Sequence, residues 1–229
     1  MRYGALQRLL PSPLRRYVMD FEARMDQAVE RLARELPSRS IVLDAGAGEG
    51  RHASLFAGHR YVAVDLGIGD TDWDYGRLDC VADLAALPFR AASVDACLNI
   101  VTLEHVREPK AVLQELARVL KPGGRLLLIA PQSWEVHQAP HDYYRYTAHG
   151  LGYLLEETGF GRLDIQPMGG FFRLLSRRLL NGLQFFPPVL LPLAVLALAP
   201  PALLLPLLDF LDREKSFTLG YVCTAYKPS

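Results

Sequence analysis

The stretch IVLDAGAGEG, Ile41–Gly50, decides how the rest of the chain is read. Three apolar residues, Ile41, Val42 and Leu43, meet an acid, Asp44, and then glycines at every second position: Gly46, Gly48 and Gly50. A short β-rich apolar run that ends in glycines predicts a buried parallel strand feeding a tight turn. Glycine has no Cβ, so the backbone there can turn sharply and approach a ligand closely. Arg51–Ala57 is expected to open a helix whose free N–H groups face that ligand. The stretch therefore predicts a nucleotide-type binding turn at the mouth of an α/β sheet.

Working outward, strands and helices alternate after residue 41, the pattern of a parallel sheet. Further strands are expected at Tyr61–Asp65 (YVAVD), Leu78–Ala82, Val94–Ile100, Arg125–Ala130, Leu163–Gln166 and Thr218–Tyr226. Helices are expected at Pro109–Leu120, stopped by Lys121-Pro122-Gly123-Gly124, and at Thr147–Thr158, stopped by Gly159. Leu66–Arg77 is too rich in Gly and Asp for a helix. Before the turn, Ser12 and Pro13 suit the N-cap and first position of one long helix. Its apolar stripe runs through Tyr17, Val18, Phe21, Met25, Val29 and Leu32, and Pro37 ends it.

Lysine plus arginine and aspartate plus glutamate are equal at 25 each, so no global charge points to nucleic acid. Three cysteines, Cys80, Cys97 and Cys223, cannot all pair and have no metal-binding spacing; they read as buried free thiols of a reducing cytoplasm. No secretory signal is evident near Arg2 and Arg8.

One block departs from this composition. No charged residue or histidine occurs from Leu179 to Leu208. Such a block suggests a membrane-spanning helix, but Pro187, Pro188, Pro192, Pro200, Pro201 and Pro206 interrupt it. The flanking segments also read as strands of one sheet, which a single crossing would separate. Val189–Ala199 and Pro201–Leu211 are expected as two short helices of a hairpin dipping into one leaflet, with Arg173, Arg177 and Arg178 facing anionic headgroups. A homodimer interface or extra core is the alternative reading of residues 179–211. The expected division is a helical cover (1–40), an α/β domain (41–170 with 214–229) and the apolar insertion (171–213).

The order VLDAGAGEG, YVAVD, ADLAALPF, VDACLNIVTLEHV and ELARVLKPGGRLLLIAP resembles class I S-adenosylmethionine-dependent methyltransferases. The type-11 group, which includes quinone-biosynthesis methyltransferases, is the nearest in pattern. The resemblance implies a Rossmann-like, mostly parallel seven-stranded sheet with an antiparallel last strand, helices on both faces, and S-adenosylmethionine as cofactor. It implies that Asp44 orients the turn and faces the methionine end, with Ala45, Gly46, Gly48 and Gly50 beside it. It assigns the ribose to Asp65 with Leu66, the adenine to Asp83 and Leu84, and the sulfonium side to Asn99 and Ile100. Some quinone methyltransferases add a metal through a Glu three residues before a Glu-His pair. Here that position is Val101, so no metal site is expected at Glu104-His105, and His105 reads as a packing residue.

The loop PQSWEVHQAPHDYYRYT, after the fifth expected strand, packs His137, His141, Asp142, Tyr143, Arg145 and Tyr146 into ten residues. Open α/β sheets place substrate groups there. His137 or His141 is the expected general base, Asp142 orients a histidine, and Tyr143 and Arg145 hold the acceptor. The same residues also read as a structural loop, with Asp142 paired to Arg145 and Tyr146 packed on the following helix. The chain is thus expected to be a cytoplasmic, membrane-associated methyltransferase acting on a lipidic or lipid-linked acceptor. An NAD(P)-binding oxidoreductase and a non-catalytic, membrane-tethered cofactor-binding protein are the alternatives.

Overall fold

A computed structural model of the chain describes residues 12–69 and 72–229. Arg2 and Arg8 lie outside the described residues, and with them the reading of the N-terminus. The chain groups into two compact units, one made of residues up to Asp26 with Pro167–Leu219, the other of Gln27–Gln166 with Gly220–Ser229.

The larger unit is an α/β sheet. Its strands are β1 (Ile41–Ala45), β2 (Arg60–Asp65), β3 (Cys80–Val81), β4 (Val94–Ile100), β5 (Leu120–Pro131), β6 (Gly161–Pro167) and β7 (Gly220–Tyr226), in the order β3-β2-β1-β4-β5-β7-β6. β1 to β5 pair in parallel, and β7 runs antiparallel to β5. This is the expected seven-stranded sheet. Val42, Leu43, Asp44 and Ala45 are all buried, because β1 is central and covered on both faces. All three cysteines lie in strands as free thiols.

Two local expectations fail. The KPGG segment lies inside β5 rather than between helix and strand. A shift of register between Val94 and Ala96 absorbs it, and the backbones of Gly123 and Gly124 bond that of Lys227. The helix expected at Arg51–Ala57 is reduced to one 3-10 turn, Ala53–Phe56. Gly50, at φ +67°, lies outside helical geometry, and the turn closed by His59 N–H on Phe56 O ends the segment before β2 opens at Arg60.

Two helices of this unit match their sequence signals. Helix α3 (Pro109–Val119) takes proline in its first turn and buries Val112, Leu113, Leu116 and Ala117 at helical spacing. Helix α4 (Ala148–Glu157) is capped by the Thr147 side chain, which accepts from Gly150 N–H at 3.1 Å, and it ends before Gly159 at φ +90°.

The smaller unit is helical. The long N-terminal helix divides into α1 (Ser12–Val18) and α2 (Asp20–Glu35), where Asp20 and Glu22 place acid at a new N-terminus. Residues 20–26 of α2 belong to this unit and the remainder to the sheet unit. An unanticipated helix, α5 (Phe171–Gly182), precedes the apolar block. Its first N–H groups donate to acids 36 to 41 residues on: Gly170 and Arg173 to Asp209, and Phe171 to Asp212. Arg177, 4% exposed, pairs with both oxygens of Glu22, and Arg173 with Asp20 and Asp209. These two arginines are therefore not displayed for headgroups, as the sequence had suggested.

The prolines do not divide the block. Helix α6 (Leu191–Leu204) runs through Pro200 and Pro201 and continues as a 3-10 turn, Leu205–Leu211. Pro206 removes the N–H that Ala202 O would take in an α-helix and Leu203 O in a 3-10 turn. Ser176 Oγ–H donates to Ala202 O at 2.5 Å and Tyr17 Oη–H to Leu203 O at 2.9 Å, which supplies both. Leu191–Leu211 is thus one helical run of 21 residues, long and apolar enough to cross a membrane, with 17% of its apolar window buried.

Candidate functional site

The chain passes from β1 to β2 and β3 on one side, then returns to β4 on the other. The ends of β1 and β4 therefore form the switch point of the sheet, where open α/β folds bind ligands. Hydrogen bonds join these two ends. Asn99 Nδ2 donates to Ala45 O at 2.8 Å, and Thr102 Oγ1 to Gly46 O at 3.3 Å. Gly46 (φ +90°) needs its conformation and its lack of a side chain, since a Cβ would lie 2.2 Å from Thr102 Cγ2. The N–H groups of Gly46 and Ala47 both donate to Val64 O, which bends the turn back over β2.

The residues expected at this site are brought together unequally. Asp44 is buried and accepts from Tyr61 Oη; desolvation, only partly opposed by that bond, pushes its carboxyl up to about 6. Asp65 accepts Gly48 N–H on one oxygen (2.9 Å) and Gly67 N–H on the other (2.8 Å), so it braces the turn. Each oxygen keeps a second lone pair. Leu66 is exposed beside it. Asp83 is exposed and accepts Ala85 N–H at 2.9 Å, while Leu84 is buried in the core. Asn99 is fully buried between strand ends with its Oδ1 unbonded, and Ile100 is 7% exposed. Trp73 was not anticipated. Its ring would stand 3.0 Å from a Cβ at Gly48, and its only sequence signal was a large aromatic in a Gly/Asp-rich segment.

The loop after β5 is held to the turn after β4 by backbone bonds from Tyr143 and Tyr144 N–H to Glu104 O and by Tyr146 Oη–H to Leu103 O. Arg145 does not hold an acceptor, because all five of its N–H donors are used. They go to both oxygens of Asp142 and to the carbonyls of Trp134, Tyr144 and Glu135. Asp142, held well below the usual carboxylate range first by Arg145, accepts His137 backbone N–H at 2.8 Å. The Asp142–Arg145 pair is the one the structural-loop reading expects, and through its bond to His137 N–H it also fixes the segment that carries this histidine. Tyr143 Oη accepts from Arg107 Nε–H and lies 3.1 Å from His141 Nδ1. His141 Nε2 makes no hydrogen bond among the described residues. Both ring nitrogens of His137 are engaged, by Glu135 O and by His105 Nε2.

This loop also brings a histidine, His137, up to the Glu104-His105 pair. Ligand atoms of Glu104, His105 and His137 lie within 4.8 Å of one another. His105 Nδ1 also lies against the carbonyl oxygen of His141. Glu104 is fully buried without a hydrogen bond to either carboxylate oxygen, and burial pushes its carboxyl up to about 8. Nothing in the sequence LEHV distinguishes it from an exposed loop acid.

Comparison with known proteins bears on the fold that carries this site. Residues 43–128 match the family described as "Methyltransferase domain", of the type-11 group. A tRNA (carboxymethyluridine(34)-5-O)-methyltransferase of Arabidopsis thaliana is 36% identical over 98 residues, 41% of this chain and 24% of that protein. A "Probable S-adenosylmethionine-dependent methyltransferase" of Mycobacterium tuberculosis is 36% identical over 108 residues, 44% of this chain and 39% of that one. The chain thus matches less than half the length of either relative. Among solved structures, a Burkholderia thailandensis 1,6-didemethyltoxoflavin-N1-methyltransferase aligns over 99% of this chain and 89% of its own, with a TM-score of 0.55 at 21% identity. That likeness concerns the fold.

Proposed function

Because residues 43–128 form a class I S-adenosylmethionine-dependent methyltransferase domain of the type-11 group, we propose that the chain methylates a lipidic or lipid-linked acceptor. S-adenosylmethionine supplies an electrophilic methyl group on a sulfonium. The glycine turn fits such a ligand, since it presents no side chain at Gly46, Gly48 or Gly50, and Asp65 has lone pairs left for two ribose hydroxyls. Asp44 orients the turn toward the methionine end, Asp83 and Leu84 serve the adenine, and Asn99 fixes the strand ends beside Ile100.

Methyl transfer forms a bond from an acceptor lone pair to the methyl carbon, and the carbon–sulfur pair leaves on sulfur. Holding the acceptor in line does most of the work. A hydroxyl acceptor also loses a proton, and His141 is the loop histidine with a free Nε2 to take it when its Nδ1–H is donated to Tyr143. His137, with both nitrogens engaged, is the weaker base of the pair.

The observation that carries the acceptor class is the exposed apolar run Leu191–Leu211. The strands that flank it, β6 and β7, are neighbours in one sheet, which a single crossing would separate, and this supports a monotopic contact, expected at the inner face of the membrane in the cytoplasm. The balanced charge gives no support for a nucleic-acid acceptor. The test is transfer of radiolabelled methyl from S-adenosylmethionine into total membrane lipids, with calorimetry of S-adenosylmethionine and NAD(P) binding alongside. Label in the lipid extract is expected, and His141→Ala should slow a hydroxyl acceptor's methylation about 100-fold at unchanged cofactor affinity. Label in tRNA alone would overturn the acceptor, cofactor binding without label in any fraction would favour the non-catalytic alternative, and NAD(P) binding alone would overturn the reaction.

A further inference from the structure

We propose that Glu104, His105 and His137 form a divalent-cation site that ties the turn after β4 to the loop after β5. The inference follows from counting protons on the two imidazoles. His105 Nδ1 lies 2.5 Å from the carbonyl oxygen of His141. A carbonyl only accepts, so that nitrogen carries the hydrogen. His137 Nδ1 faces two acceptors, Glu135 O at 3.1 Å and Asp142 Oδ2 at 3.5 Å, and carries its hydrogen for the same reason. A neutral imidazole has one N–H. Both Nε2 atoms therefore present lone pairs, and they face each other at 3.1 Å. Two lone pairs at that distance repel unless an electrophile lies between them.

Glu104 supplies the third donor. Its Oε1 is 3.8 Å from His105 Nε2 and 3.9 Å from His137 Nε2. It is fully buried, and neither carboxylate oxygen has a hydrogen-bond partner, although buried charge is costly without one. Arg145, the nearest fixed cation in the loop, spends its donors on Asp142 and three carbonyls. A cation about 2.0–2.1 Å from each imidazole nitrogen would hold the two nitrogens about 2.9 Å apart in octahedral and about 3.3 Å in tetrahedral geometry. The observed 3.1 Å lies between. Two imidazoles and one carboxylate, with a further position open, suit zinc or a neighbouring first-row ion. Carbonyl acceptors on the far nitrogens are the usual devices that fix a ligating histidine's tautomer.

The test needs no cofactor or acceptor, so it stands or falls separately from the methyl-transfer reading. The full chain, stripped with chelator, is titrated with cobalt(II) and with zinc, read by visible absorption, equilibrium dialysis and thermal unfolding. One equivalent should bind, with cobalt ligand-field bands and a raised Tm. His137→Gln and Glu104→Gln should each weaken binding at least tenfold. His137 lies on a loop with its side chain 27% exposed, so His137→Gln should keep the metal-free Tm of the wild type. His141→Ala retains its backbone carbonyl and should bind as wild type. The proposal is overturned if wild type binds cobalt and zinc no better than His137→Gln, or if nitrogen NMR finds a proton shared by the two imidazoles that saturating zinc does not displace.

Discussion

Asp44 shows how burial makes one residue pH-sensitive. Desolvation raises its carboxyl to about 6 in the folded chain, against about 3.9 when unfolded. An acid raised by folding holds its proton more tightly in the native state. Its contribution is therefore full below about pH 4 and is lost as pH rises through about 6. Wild type should lose about 2 kcal/mol of stability between pH 4 and 7 that Asp44→Asn does not lose, measured by urea unfolding at both values. Equal losses in the two proteins would show that Asp44 is not desolvated. Asp44, Asp65 and the glycines were legible because a strand tip followed by alternate glycines permits few side chains near a ligand. Trp73 and Glu104 were not, since what distinguishes them is a neighbour distant in sequence: Gly48 for one, His137 for the other.

Among the elements, the strands were read more surely than the helical insertion. β1, β2 and β4 carry their signal in consecutive apolar residues, and burial on both faces requires such runs. The prolines of the apolar block carry a real local cost, and read locally they end the helix at Pro200. Ser176 and Tyr17 offset the cost of Pro206 by donating to the freed carbonyls, and one of these lies near the far end of the sequence. Ser176 is 2% exposed and Ala202 fully buried, so Ser176→Ala leaves a buried carbonyl unsatisfied. It should cost about 1–3 kcal/mol in chemical denaturation. An unchanged midpoint would mean that the helix tolerates Pro206 by other means.

At the scale of the whole molecule, a sheet unit carrying the switch-point site and a helical unit carrying an exposed apolar run share one chain. If that run docks on lipid, the chain should float with vesicles containing anionic lipid. The doubly substituted Leu196→Asp, Leu207→Asp chain should remain in the soluble fraction. Leu196 and Leu207 are 73% and 61% exposed, so the variant should keep the wild-type Tm. Wild type that stays soluble with every vesicle would overturn membrane docking. The sequence by itself determined the alternation of strands and helices and the glycine turn, because burial and backbone conformation restrict residue types over a few neighbouring positions; the antiparallel last strand was implied only by the family resemblance. Only tertiary structure decided that KPGG belongs to β5, that Arg145 is spent on Asp142, that Arg177 is buried on Glu22, and that His105 and His137 converge beside Glu104. Each depends on partners that chain topology, rather than local pattern, brings within hydrogen-bonding distance.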